Sequence, residues 1–298
     1  MIGTTLRPLG VGEIIDRTIA LFRADLRLFV GIVTVPYLAV VILGSLPFFI
    51  VGSDLARLFT KLATQAPERA ARTLLDLLPV MIGFGLLVGV VTVVQSAALI
   101  EAAAARHLGR SAEVCASLRA GLRAGPRLML VGIAALVLIF GVAVLGFVGS
   151  GIGFLMGSAA LGSLLGLLVL PGVIISVYLA FMLPLLSPVT VLEPGGPRSV
   201  IRRSLSLVRG NRRRIFGLTC ILGLLQVVLS AVLSLLLVSA VFADATAQFV
   251  AQQAVSFLVG IVWTPLEFIA FTVFYIDLRV RKEAYDLQLA AEALPRDT

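Results

Sequence analysis

Charge is what this chain has least of. Only 13% of its 298 residues are Asp, Glu, Lys or Arg, roughly half the share of an ordinary soluble domain. The shortage is uneven: from Leu128 to Leu192, 65 consecutive residues carry no charge, where about 18 apolar residues already argue for a membrane span. A soluble globular fold is excluded on that ground. Metal and thiol chemistry are also poorly provided for. Cys115 and Cys220 stand in unrelated contexts, one in a basic loop and one inside an apolar run, so they form neither a metal spacing nor a disulfide framework. The single histidine, His107, has no Cys or second His nearby and reads as a solvent or headgroup contact beside Arg106. Gly149, Gly153 and Gly157 lack the flanking strand and Gly-Lys-Ser/Thr ending of a phosphate loop and read as helix-packing positions. No Ser/His/Asp or Cys/His set is found, and no cofactor or metal is expected. The first 27 residues mix four arginines with three acids, unlike a signal peptide, so no processing is expected.

Apolar sequence is what the chain has in abundance, 59% of residues with a mean hydropathy of +1.09. Six segments are long enough to cross a hydrocarbon layer of about 30 Å: Leu28 to Gly52, Leu78 to Ala102, Leu128 to Gly149, Leu164 to Pro188, Ile215 to Val241 and Ala254 to Ile276. The expected fold is therefore an all-α polytopic transmembrane bundle, one domain over residues 1–298. The uncharged stretch Ser150 to Ser163 reads either as a tight hairpin loop or as continued helix.

The 24 basic residues orient the spans. Twenty fall in the N-terminal segment, the segments after spans two and four, and the C-terminus; four (Arg57, Lys61, Arg69, Arg72) fall on the other side. Cytoplasmic loops carry the excess of Lys and Arg, which places both termini in the cytoplasm of a bacterial-type plasma (inner) membrane. An odd number of spans between Leu128 and Leu192 would put one of the two most basic loops outside, so two spans are expected there. Asp54, Glu68, Asp76 and Asp244 balance the outer cations, leaving the net charge of +8 beside anionic headgroups, the expected lipid partner. No groove-reading or aromatic-interleaved motif points to nucleic acid.

The sequence also repeats itself. Asp16 to Arg27 aligns without gaps on Arg202 to Arg213, and a weaker copy places Arg123 and Arg127 where Arg23 and Arg27 stand. Ile14, Ile15, Ile19, Phe22 and Leu26 in the first copy, and Val200, Ile201, Leu205 and Val208 in the last, have helical spacing with arginines opposite. Such stripes suit helices lying in the membrane interface. The pattern suggests three parallel repeats, residues 11–107, 111–193 and 198–287, each an interfacial helix followed by two spans.

Three stretches carry a family resemblance: Leu6 to Arg17, Arg203 to Arg213, and Tyr275-Ile276-Asp277-Leu278-Arg279-Val280-Arg281-Lys282-Glu283-Ala284-Tyr285-Asp286-Leu287. Together they resemble the glycerophosphoryl diester phosphodiesterase membrane-domain family, with Ile276 where a second Tyr is usual and Ala284 where Gly is usual. In some members this domain is fused to a catalytic barrel. A barrel needs about 250 residues, so a stand-alone membrane domain without that activity is expected. The motif residues Arg17, Arg203, Arg209, Asp277, Arg279, Arg281 and Glu283 are candidate site residues on the cytoplasmic side. Asp277 with Arg281 and Arg279 with Glu283 have i,i+4 spacing. Docking of Arg281 onto Glu13 or Asp16 is the sharper expectation for this motif.

Ionisable residues within spans default to functional hypotheses. Glu267, in Trp263-Thr264-Pro265-Leu266-Glu267, is the one that lies clearly inside a span. Thr264, Gln95, Gln226 and Tyr178 are expected to face it from the same and neighbouring spans, and Pro265 leaves a carbonyl of the preceding turn unpaired. The set reads as a polar site for a proton, an ion or a headgroup, or as a tie between helices. The expected function is a non-catalytic membrane protein that scaffolds or handles lipid, with an unknown protein partner. A small-solute transporter using Glu267 is the alternative, and a membrane-embedded enzyme the third.

Overall fold

The computed structural model describes residues 8–51, 67–236, 245–285 and 288. The far ends of the first and fifth expected spans lie outside these residues. So do Leu6, Arg7, Asp54, Arg57, Lys61, Asp244, Asp286, Leu287 and Arg296. The described chain is helical: α1 Val11–Ala24, α2 Leu26–Val51, α3 Pro67–His107, α4 Val114–Leu155, α5 Ala159–Gly166, α6 Val169–Met182, α7 Leu186–Leu192, α8 Pro197–Val208, α9 Arg212–Leu236 and α10 Ala245–Glu283. Six segments are long and apolar enough to cross a membrane: Leu26–Leu43, Ile82–His107, Val114–Phe154, Ala159–Met182, Arg212–Leu235 and Val250–Glu283. The protein is a multi-pass membrane protein.

Its outward faces confirm the medium. Leu136, Val137, Leu145 and Phe147 on α4, and Leu170 and Ile174 on α6, are more than half exposed. Such a surface suits lipid tails and would aggregate in water. The packed core lies instead toward one end, where α10 is central. Every residue from Ile269 to Leu278 is buried, and α10 packs against α1, α2, α3 and α9.

Local chemistry sets the helix ends. Glu13 reaches back to accept the Gly10 N–H at 2.6 Å, closing the start of α1. Asp25 breaks α1 from α2 and accepts at its backbone from the Leu28 and Phe29 N–H groups. α8 begins with Pro197, whose fixed φ suits a first helical position. It ends at Gly210, which at φ +90 adopts a backbone that a side chain would strain.

Two expectations are modified. The segment before the third span does not form a separate interfacial helix. It supplies the opening turns of α4, a 42-residue helix that runs through Pro126. At about 1.5 Å per residue that helix is about 63 Å long, twice the hydrocarbon thickness, so its arginine-bearing turns project beyond it. The equivalents of the α1 and α8 breaks are missing there, because Gly125 stays helical where Asp25 and Asn211 turn the chain. Second, Ser150 to Ser163 is mostly helix. α4 continues to Leu155, Gly157 turns at φ +74, and Ser158 accepts the Leu161 N–H to start α5. The fourth span is correspondingly made of α5 and α6 and ends at Met182 rather than Pro188, since Pro184 cannot continue it.

The α4–α5–α6 hairpin depends on small residues. A Cβ on Gly153 would lie 2.5 Å from the Gly162 nitrogen, and one on Gly172 would lie 2.5 Å from the Ala143 nitrogen. These backbones meet with no room between them, as Gly149 and Gly153 had suggested.

Candidate functional site: a charged clasp at one end of the bundle

Charged side chains converge where α1, α2, α3, α8, α9 and α10 begin or end. Asp277, nearly two turns before the end of α10, has a fully buried carboxylate. Its Oδ1 accepts the Leu9 N–H at 2.6 Å, its Oδ2 accepts Arg214 Nη2 at 2.9 Å, and Arg281 Nε donates to both oxygens at 3.2 and 3.1 Å. The same two arginines donate to the Leu9 carbonyl at 2.6 and 2.8 Å. One residue at the start of the described chain is thus gripped on both sides of its backbone by α9 and α10. A buried carboxylate with this many charge-assisted partners is compensated for the water it loses.

A second cluster forms around Glu193, just after α7. Arg203 of α8 makes a forked contact with it through Nε at 2.9 Å and Nη2 at 3.1 Å, and the Tyr275 hydroxyl donates at 2.7 Å. Arg127 of α4 donates to the Glu193 backbone carbonyl. Burial alone would raise the Glu193 pKa. The Arg203 and Tyr275 hydrogen bonds, with the Arg203 and Arg279 charges, outweigh it and hold the carboxyl below its ordinary range. Arg203 also pairs with Glu283 at 2.5 Å, and Arg279 pairs with Glu283 at 3.1 Å while its guanidinium stacks 3.9 Å from the Tyr285 ring. The result is a row of alternating charge, Glu193, Arg203, Glu283 and Arg279, across three helices. Lys282 closes it by donating to the Ser206 and Arg209 carbonyls at the end of α8.

A third tie joins α2 to α3, where Arg106 forks onto the Asp25 carboxylate, its Nε 2.6 Å from Oδ2. Each consecutive pair of spans is therefore fastened where it starts and finishes: by Asp25 and Arg106, by Arg127 and Glu193, and by Arg214 and Asp277. The Arg127 contact spans 66 residues and brings the chain back to the same end after α4, α5 and α6. That agrees with two spans between Leu128 and Leu192.

A family model described as Domain of unknown function (DUF7847) matches residues 28–278. The chain belongs to that family. The match takes in all but the edges of the candidate spans, including Asp25's partner Arg106 and the Glu193, Arg203, Arg214 and Asp277 positions, and leaves α1, Leu9 and Arg281 outside. What matches is this domain of unknown function and not a glycerophosphoryl diester phosphodiesterase family. No curated protein and no solved structure matches the chain.

Among the residues singled out in the sequence, Asp277, Arg279, Arg281, Glu283 and Arg203 come together, and both i,i+4 pairs form. Arg209 joins through its backbone carbonyl, with its side chain exposed. Arg17 stands apart, on α1, close enough to His107 to interact with it electrostatically. His107 itself is not a solvent or headgroup contact: it is buried, and its Nδ1 has no hydrogen-bond partner. Its position is fixed by α1 packing over the end of α3, which the apolar stripe of α1 drives. Arg281 docks on Leu9 rather than on Glu13 or Asp16.

The intramembrane set does not assemble. Gln226 and Tyr178 are exposed on outward faces of α9 and α6, away from the interior they were expected to face. Gln95 is buried and Thr264 half-buried, and neither bonds to Glu267. Glu267 instead has Trp263, one turn before it, as its neighbour; the buried indole N–H falls short of a formed hydrogen bond. Among the described residues no group of three or more His, Cys, Asp or Glu side chains is placed to hold a metal ion.

Sequence reasoning missed Glu193, Arg214, Tyr275, Arg127 and the Asp25–Arg106 pair. One signal was available: Glu193 is the only acid between Glu113 and Asp244, a lone carboxylate directly ahead of seven arginines.

Proposed function

We propose that this chain is a non-catalytic protein of a bacterial-type plasma (inner) membrane that scaffolds or handles lipid, with its basic end and both termini on the cytoplasmic side. The observation that carries the reading is how the ionisable groups divide. The buried carboxylate of Asp277 and the half-buried one of Glu193 are each bonded by several donors of the same chain. These clusters hold helices together and leave little capacity for turning over a substrate. The arginines without such partners, among them Arg23, Arg27, Arg119, Arg123 and Arg202, are exposed at the same end of the bundle, where anionic headgroups would meet them. The imbalance of twenty basic residues to four supports the cytoplasmic assignment. The resemblance of Tyr275 to Leu287 to glycerophosphodiesterase membrane domains supports a link to phospholipid.

Native mass spectrometry of the protein drawn gently from its own membrane tests the reading. A stoichiometric phospholipid or protein partner is expected. Bare protein that instead hydrolyses a glycerophosphodiester would overturn it. Transport through Glu267 has less support, because Gln226 and Tyr178 face outward. Glu267→Gln should leave lipid retention unchanged, and a Glu267-dependent solute flux in proteoliposomes would revive that alternative.

A further inference from the structure

A groove of about 860 Å³ lies between α6, α8 and the start of α9, within the range of about 300–1,000 Å³ typical of small-molecule sites. Its floor and walls are apolar: Leu179 and Met182 of α6, Ile201 and Leu205 of α8, and Val208. Its rim carries four arginines, Arg198, Arg202, Arg209 and Arg212, with no carboxylate among the lining residues.

The spacing explains the convergence. Arg198, Arg202 and Leu205 recur at helical intervals along one side of α8 and Arg209 follows at its cap, while Val200, Ser204 and Leu207 on the other side are buried against the bundle. Arg203, turned toward that inner side, is consumed by Glu193 and Glu283. None of the four rim side chains makes an ion pair or hydrogen bond. Other arginines at this end are also unpaired; these four surround an apolar concavity. A second hollow of about 500 Å³ shares Arg198 and Arg202 at the start of α8.

Tyr178, 47% exposed, lines the groove, and along α6 from it run Val177, Ile174, Val173 and Leu170, all exposed and apolar and at helical spacing on its face. Phe181 and Phe216, with ring centroids 4.8 Å apart, join α6 to α9 beside it. A ligand here would meet cations at one end and a lipid-facing apolar stripe at the other. Water-borne anions would use only the first.

We infer that this groove holds an anionic phospholipid, its phosphate among Arg198, Arg202, Arg209 and Arg212 and one acyl chain along Tyr178 and the outer face of α6. Arginine's fork suits phosphate oxygens, and an interfacial Tyr suits the boundary between headgroup and chain. The inference rests on the lipid-handling reading above and gives it a place.

Purified full-length protein in nanodiscs of phosphatidylglycerol and phosphatidylcholine, released into native mass spectrometry, tests it. The wild type is expected to keep one phosphatidylglycerol in preference to phosphatidylcholine. Arg202→Gln with Arg209→Gln should weaken that retention by about fivefold per arginine, and the Lys pair should retain more than the Gln pair. Arg23→Gln with Arg123→Gln removes the same charge from the diffuse headgroup surface outside the groove and should leave the preference for the one retained phosphatidylglycerol intact. All four positions are exposed and unpaired, so folding, checked by an unchanged melting temperature, should survive. Equal loss in both Gln pairs would show diffuse surface attraction and overturn the site while leaving lipid handling intact. A wild type without phosphatidylglycerol preference would remove both. Displacement of the lipid by inorganic phosphate alone would mean a soluble anion is the true occupant and would also overturn the inference.

Discussion

The Asp277 carboxylate and the Leu9 backbone, 268 residues apart, are joined by a 2.6 Å hydrogen bond at the buried centre of the charged end. Arg214 and Arg281 complete the clasp by binding both partners. The start of the chain is thereby tied to the exit of the last span without a loop between them.

Removing Asp277 should therefore cost more than any surface charge. Asp277→Ala leaves two arginines and a backbone N–H without their shared acceptor, and breaking a buried pair in this way costs about 3–5 kcal/mol. A lowered melting temperature in detergent checks it, with Asp277→Asn the milder variant because its carbonyl can still accept from Leu9. Charge reversal at Arg281 should not be rescued by reversal at Glu13 or Asp16, since Arg281 binds the Leu9 carbonyl.

Glu193 gives the clasp a pH dependence of defined sign. Its folded pKa is depressed, so its contribution is present above the unfolded value of about 4.3 and is lost as pH falls through the lower folded value. Melting temperature followed on acidification should fall more steeply for the wild type than for Glu193→Gln, the two curves converging below the folded pKa.

Asp25 and Arg106 should show energetic coupling. A double-mutant cycle with Asp25→Ala and Arg106→Ala is expected to give an interaction of about 0.5–3 kcal/mol. Additive losses would show that the pair contributes nothing beyond its separate side chains.

The hairpin of α4 with α5 and α6 should not tolerate even a methyl group at its crossings. Gly153→Ala and Gly172→Ala each press a Cβ against backbone, which cannot swing aside, and overpacking of this kind costs about 1–3 kcal/mol. Gly151→Ala, which meets nothing within 4 Å, is the control for both in the same thermal assay.

The spans, their number and the stripes of α1 and α8 could be read directly, because apolar length and helical spacing are local properties. Both i,i+4 pairs on α10 were legible for the same reason. Partners across helices were not. A lone Glu193 ahead of seven arginines signals an ion pair, but which arginine forks onto it, and that Tyr275 of another span joins, is decided by packing. The Leu9 contacts use backbone atoms, which carry no residue signature at all. His107 was misjudged because its burial depends on α1 folding back over α3. Gln226 and Tyr178 were misjudged because the rotation of α9 and α6 is set by packing, including the glycine crossings, rather than by their own polar residues.

In the proposed orientation the basic end faces the cytoplasm, and Cys115 reports on it directly. This thiol is exposed at the start of α4 beside the arginines of that end, whereas Cys220 lies within α9. In a Cys220→Ser background, a membrane-impermeant maleimide should label Cys115 in inverted membrane vesicles and leave it unlabelled in intact spheroplasts. Labelling in spheroplasts would place the clasps, α1, α8 and the lipid groove on the opposite face and contradict the proposed orientation.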